Sequence, residues 1–143
     1  MEKITHFFNK AKDGGPDSPV DAYFLFEIKS FLSIAILKFN KGRRENFHSH
    51  AFHAFTWFLK GDLVEEHYDG RKNVYKRSLI PKLTKRSCNH RVKANSDSWC
   101  LTIRGPWAET WTEHSETHKI TLGHGRKIVK TQRVKLVLSN LPL

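Results

Sequence analysis

Cysteine is scarce in this sequence: only Cys88 and Cys100 occur among 143 residues. Two thiols give no disulfide framework, so the expected setting is a reducing one. Long apolar runs are missing as well. The longest, residues 23–39, is broken by Glu27, Lys29 and Lys38 and does not read as a membrane span. The opening "MEKITHFFNKAKDGG" has no apolar core of the kind that marks a signal peptide. The expected location is therefore the cytoplasm, or the host cytoplasm if the chain is viral. No glycine-rich phosphate loop, CxxC pair or Ser-His-Asp order is present, so the familiar signatures of phosphate-loop, dithiol and serine-nucleophile chemistry are excluded.

Acidic residues are also missing where they would matter. Residues 1–40 balance five acids against five bases, but Arg71 to Lys93 holds nine bases (Arg71, Lys72, Lys76, Arg77, Lys82, Lys85, Arg86, Arg91, Lys93) and no acid. Six further Lys or Arg follow Glu116 without an acid, and the net charge reaches +11. Such a field attracts anions whatever their identity. The expected partner is a small anionic molecule. Nucleic acid is the weaker alternative, because the bases of 71–93 fall on both parities of a strand.

What is present is a core-forming set of apolar residues, 38% of the chain, with ten Phe and four Trp. Length and composition fit one domain over 1–143: a core at about 20–130, an N-terminal extension 1–19, and a basic tail or closing strand at 131–143. Helical periodicity is hard to find. Short apolar or alternating runs recur instead, among them "AYFLFEIKS", "FHAFTWFLKG", "SWCLTIRG" and "HKITLGHGRKIVK". Asp69-Gly70 between "VEEHY" and "KNVYK" is a hairpin signal. Seven or more strands at this spacing predict an all-β, antiparallel sandwich or barrel. A short helix is expected only around "KITHFFNKA", stopped by "DGGPDSP".

The histidines carry the chemistry. His48 and His50 are two apart, so on a strand both face one way. Two imidazoles and a third donor from a neighbouring strand can hold Fe(II), Zn(II), Mn(II) or Ni(II). The same pair can equally be exposed or hydrogen-bonded residues without a metal. His114, His118 and His124 read as surface histidines. Glu65 and Glu66 alternate faces, so at most one of them points inward. Trp57, Trp107 and Trp111 read as core.

The spacing Gly42-x5-His48-x-His50 with Gly61 beyond resembles the first motif of the cupin superfamily. Pro81, His90 and Asn95 resemble the second, without the glycine expected between proline and histidine. "WCLTIRGPWAETW" is similar to the late strand of small RmlC-like cupins, many of them from phages and bacteria. The resemblance covers roughly residues 20–115 and implies a double-stranded β-helix, or jelly-roll barrel. It makes His48, His50 and His90 the metal ligands. The glutamate that follows the histidine pair in a cupin has no counterpart here, since Ala54 and Phe55 stand there.

That loss leaves three readings open. Three neutral histidines hold Fe(II), as in thiol dioxygenases, and the chain is a dioxygenase-like or other metal-dependent enzyme. Alternatively His53 joins as a fourth ligand, which needs a bulge because its parity is opposite. Or the metal is gone, and the barrel binds or sequesters an anion such as a nucleotide. Arg104 and Arg44 are candidate clamps for the anionic group. Cys88, two residues before His90, is either a small core residue or a substrate- or metal-side thiol. The resemblance also implies a homodimer.

Overall fold

The computed structural model describes residues 3–43 and 46–134. In chain order the strands are β1 (Ile4–Lys12), β2 (Val20–Ile28), β3 (Leu32–Phe39), β4 (Gly42–Arg43), β5 (Phe47–His48), β6 (Ala54–Lys60) and β7 (Leu63–His67). They continue with β8 (Lys72–Tyr75), β9 (Lys82–Thr84), β10 (His90–Ala94), β11 (Ser98–Arg104), β12 (Thr110–His114), β13 (His118–Gly123) and β14 (Lys127–Arg133). The only helical turn among the described residues is a 3-10 turn at His124–Arg126. No helix among them is long and apolar enough to cross a membrane.

Two antiparallel sheets face each other, as the alternating runs predicted. One has the order β1-β2-β3-β11-β6-β9; the other runs β14-β13-β12-β5-β10-β7-β8, with β4 also paired to β10. The Asp69-Gly70 signal is the β7–β8 hairpin, with Gly70 at φ 94°, and "HKITLGHGRKIVK" forms β13 and β14. Strand parity decides what each face buries. On β11, Cys100, Thr102 and Arg104 point in and are buried, while Trp99, Leu101 and Ile103 are half-buried on the outside.

The apolar core is built from Val20, Ala22 and Phe24 on β2, Ala35 and Leu37 on β3, and Leu63, Ala94 and Cys100 from β7, β10 and β11. Each large member contributes about 1.5–3 kcal/mol of transfer free energy. Leu63 and Ala94 are paired in register at one end of the barrel, while Arg104 lies opposite Ala54 at the other. His48, His50 and His90 therefore stand toward the end away from the Leu63–Ala94 closure.

The helix expected around "KITHFFNKA" is instead β1, an edge strand paired with β2 from Ile4↔Ile28 to Lys12↔Asp21. Long-range pairing overrides a weak local preference here. Phe8 sits at φ 44°, and across it His6 and Ala11 both turn inward despite their odd spacing, while the register with β2 shifts between Ile4 and His6. These irregularities hide the period of two that would have marked a strand. The expected N-terminal extension thus supplies a strand to one sheet. Residues 131–133 end β14, and 135–143, like Arg44, lie outside the described residues.

Candidate metal centre

His48 ends β5, His50 follows it in the connection to β6, and His90 opens β10. Register sets His90 opposite His48 on one side and opposite His67 on the other. The rings converge, with centroids 5.0 Å apart for His48–His50 and His48–His90 and 4.7 Å for His50–His90. One ligand atom from each lies within 4.8 Å of the other two. All three line a cavity of about 410 Å³.

What orients the rings lies behind them. Nδ1 of His50 is 3.1 Å from the Cys88 carbonyl oxygen, which can only accept, so Nδ1 carries the proton and Nε2 keeps its lone pair. Nδ1 of His90 donates to Oε2 of Glu65 in the same way. This backing is what metal-binding histidines ordinarily have, because it fixes tautomer and ring plane together. Burial pushes His90 down from its usual range, outweighing the pull of Glu65, so the ring is neutral at pH 7, as a ligand must be.

Glu65 is the centre of this backing. It is 1% exposed, on β7, and surrounded by donors. Lys82 Nζ and His90 reach Oε2, while His67 Nε2 at 2.9 Å, Tyr75 Oη at 3.0 Å and Asn73 Nδ2 at 3.3 Å reach Oε1. Burial alone would raise its carboxyl pKa. The hydrogen bonds and charges of His90 and Lys82 outweigh burial and hold the group ionised, well below the usual carboxylate range. Strand parity anticipated one inward glutamate of the Glu65–Glu66 pair. Glu66 is the outward one, paired with Arg91 at 3.1 Å and Arg43 at 3.5 Å.

These contacts fit a divalent metal. Three imidazole nitrogens face one cavity, and Glu65, Cys88 and His90 form a second cluster of donor atoms within 4.8 Å.

No protein-family model and no curated protein matches the sequence. Solved structures do. An RmlC-like cupin from Shewanella frigidimarina superposes with TM-score 0.55 at 16% identity, over 74% of this chain and 95% of that one. The EutQ protein of Clostridium difficile gives TM-score 0.55 at 14% identity, over 68% and 75%. A cupin-superfamily sugar phosphate isomerase from Silicibacter pomeroyi gives 0.53 at 11%, over 80% and 76%. The chain has the cupin fold.

Within that cupin barrel the remaining candidates fall elsewhere than expected. His53 is exposed, and its Nδ1 accepts the Arg86 backbone N–H at 3.0 Å, so it braces the loop before β10 and stays out of the histidine group. It lies in the connection between β5 and β6, where strand parity does not apply.

Cys88 precedes β10, so the strand-parity argument that set it beside His90 does not apply. Its carbonyl serves His50, while its half-buried thiol lies 3.9 Å from His67 Nδ1 and is pushed up by burial. Arg104 is neither solvated nor unpaired: it is buried in the cavity wall and bound to Asp13. Arg44 lies outside the described residues.

Trp107 and Trp111 line the cavity together with Phe24 and Phe52, whereas Trp57 is half-buried on the outer face of β6. His114 is half-buried against Asn89 and Tyr68, and His118 and His124 are exposed, as expected of surface histidines.

Sequence reasoning missed Lys82, Glu113 and Asp13. Lys82 was counted in the basic run, yet it points inward to Glu65. Glu113, in register with His48, is buried and accepts from Arg126 at 2.8 Å.

Proposed function

We propose that this chain is a metal-dependent cupin enzyme in which His48, His50 and His90 hold a divalent metal, Fe(II) being favoured over Zn, Mn or Ni, and the cavity takes a small anionic substrate. The observation that carries this reading is the buried Glu65–His90 contact, which turns Nδ1 of His90 away and leaves Nε2 as its donor. When bound, the metal supplies Lewis acidity and, as Fe(II), redox chemistry with O₂.

The chain's own residues do the rest. Glu65 holds the Nδ1 proton of His90, and the Cys88 carbonyl holds that of His50. A site of three neutral ligands keeps the full metal charge and so favours an anion. Phe24, Phe52, Trp107 and Trp111 exclude water from the reacting end. Lys29, 4.4 Å over the Trp107 ring, puts a positive charge among the lining residues. The phosphate-bearing substrate in the name of the Silicibacter protein is in keeping with this charge, at the level of fold likeness.

Three of the nine bases of 71–93 are drawn into ion pairs, Lys82 with Glu65 inside the barrel, Arg91 with Glu66, and Arg71 with Asp69 at 2.8 Å, which supports the small-anion reading ahead of a nucleic-acid face. A thermal-shift titration with Fe(II), under anaerobic conditions, and with Mn, Ni and Zn tests the reading. Stabilisation by one metal, absent in a His48→Ala/His90→Ala variant, is the expected result. Stabilisation by inorganic phosphate with none by any metal would instead favour a non-catalytic anion binder.

A further inference from the structure

Arg104 presents a charge that its surroundings only partly satisfy. Its side chain is 4% exposed, at the end of β11, and its Nη2 donates to Asp13 Oδ2 at 2.7 Å. Its Nε is buried with no hydrogen-bond partner among the described residues. The guanidinium lies 4.6 Å from the Phe52 ring centroid and 6.0 Å from that of Phe24. A buried guanidinium has five donors in a fixed fork, and leaving it uncompensated is costly. Asp13 supplies the compensation from a different position: its side chain is 30% exposed.

Asp13 stands where β1 ends, just before a turn made of Gly14, Gly15 and Pro16, with both glycines near φ 100° (102° and 101°). Its backbone is pinned, since its N–H donates to Val20 O at 2.9 Å and Ser18 Oγ donates to its carbonyl at 2.6 Å. Only the carboxylate reaches inward. Asp13 and Arg104 line the same cavity as the three histidines. Phe52 lies between them, its ring 4.6 Å from the guanidinium and 6.2 Å from the His50 ring.

We infer that Arg104 is the seat for the oxyanion of the ligand, a carboxylate or phosphate group, and that the Asp13 carboxylate occupies this seat until the ligand displaces it. The inference rests on the proposed anionic substrate but not on the metal. The exchange conserves charge around Arg104: one carboxylate oxygen leaves and another oxyanion arrives, using the unfilled Nε as well as Nη2. Asp13 can be rehydrated by a side-chain rotation because it already touches solvent; Arg104 cannot. The ligand then has an anionic end at Arg104, an apolar or ring portion along Phe52 and Phe24, and its reacting group toward His50. Competition from Asp13 also selects against weak or singly contacting anions, because only an oxyanion that engages the fork in bidentate fashion improves on what is already there.

The test is calorimetric titration of the chelator-treated full chain with inorganic phosphate and, separately, acetate, at constant ionic strength, in wild type, Asp13→Asn and Arg104→Gln. Asp13→Asn is expected to bind at least about tenfold more tightly than wild type and Arg104→Gln to lose binding. The preferred anion identifies the oxyanion. Equal affinity in wild type and Asp13→Asn overturns the displacement, and full binding in Arg104→Gln overturns the seat. If Asp13→Asn does not fold, the comparison of wild type with Arg104→Gln, in which the half-exposed Asp13 is left to water, still decides the seat. Phosphate binding that persists in the chelator-treated protein separates this inference from the metal reading, and its absence there overturns the seat.

Discussion

Glu65 and His90 come from adjacent strands, β7 and β10, and meet inside the barrel through a carboxylate–imidazole hydrogen bond that Lys82 shares from the other side. A single buried carboxylate thereby sets the tautomer of a candidate metal ligand and neutralises a half-buried lysine. The glutamate absent after His50 is not restored as a ligand in place; a glutamate from the next hairpin acts on the ligand instead.

Replacing Glu65 separates its two tasks. Glu65→Gln leaves the half-buried Lys82 without a counter-charge, and a loss of up to about 3 kcal/mol in unfolding free energy is expected. Metal affinity is expected to fall about 10–100-fold, because the backing of His90 is weakened. Glu65→Gln/Lys82→Met removes both charges and should recover part of the stability while leaving metal affinity low. Denaturant unfolding beside metal titration checks both; recovery of the affinity would refute the orienting role.

Acid should destabilise the metal-free protein in two stages. Burial lowers the His90 pKa in the fold, so as pH falls through about 6.5 the unfolded chain takes up a proton that the fold refuses, and stability drops. The Glu65 pKa is also lowered in the fold, so its contribution is present above the unfolded carboxylate value of about 4.5 and is lost as pH falls below it. Melting temperatures from pH 8 to pH 3 should fall in both windows; Glu65→Gln should shrink the lower step, to which Glu66 also contributes, and enlarge the upper one, because the pull of Glu65 on the His90 proton is gone.

The thiols should differ in reactivity. Cys100 is 1% exposed, and burial pushes its pKa up to about 12, leaving a thiolate fraction of order 10⁻⁴ at pH 8. Iodoacetamide at that pH should leave Cys100 unlabelled until the protein unfolds, with Cys88 labelled slowly, as mass spectrometry of the peptides would show.

Two motif glycines should respond unequally to substitution. Gly61 has φ 114°, and a Cβ there would lie 2.6 Å from the Ser98 Cα; Gly42 has φ 137° with nothing within 4 Å. Both Gly→Ala changes carry the strain of a positive φ, about 1–3 kcal/mol. Gly61→Ala adds a backbone clash and should cost clearly more, by equilibrium unfolding. Equal losses would remove the close approach as the reason for glycine at 61.

The all-β class was legible because alternation survives wherever a strand has one buried face, as on β11. It failed on β1, where the positive φ of Phe8 and the register shift between Ile4 and His6 break the period and only pairing with β2 defines the strand. The convergence of His48, His50 and His90 was legible through motif spacing, although β5 ends at His48 and strand parity alone would not have carried His50. Glu65 was half legible: parity allowed one inward glutamate, but the choice between Glu65 and Glu66 depends on the register of β7 against β10. The Arg104–Asp13 pair was not legible, since it joins residues 91 positions apart across the barrel. Solved structures share this fold at 11–16% identity, and neither Glu65, between the two motifs, nor Lys82, one residue after Pro81, holds a motif position that would mark it.

The central claim is that three histidines without the usual glutamate still hold a metal. Elemental analysis of the full chain, purified without chelators, beside the His48→Ala/His90→Ala variant tests it most directly. The account predicts close to one Fe, Mn, Ni or Zn per chain in the wild type and almost none in the variant. A folded wild type free of metal, or a variant that keeps the same metal content, would contradict it.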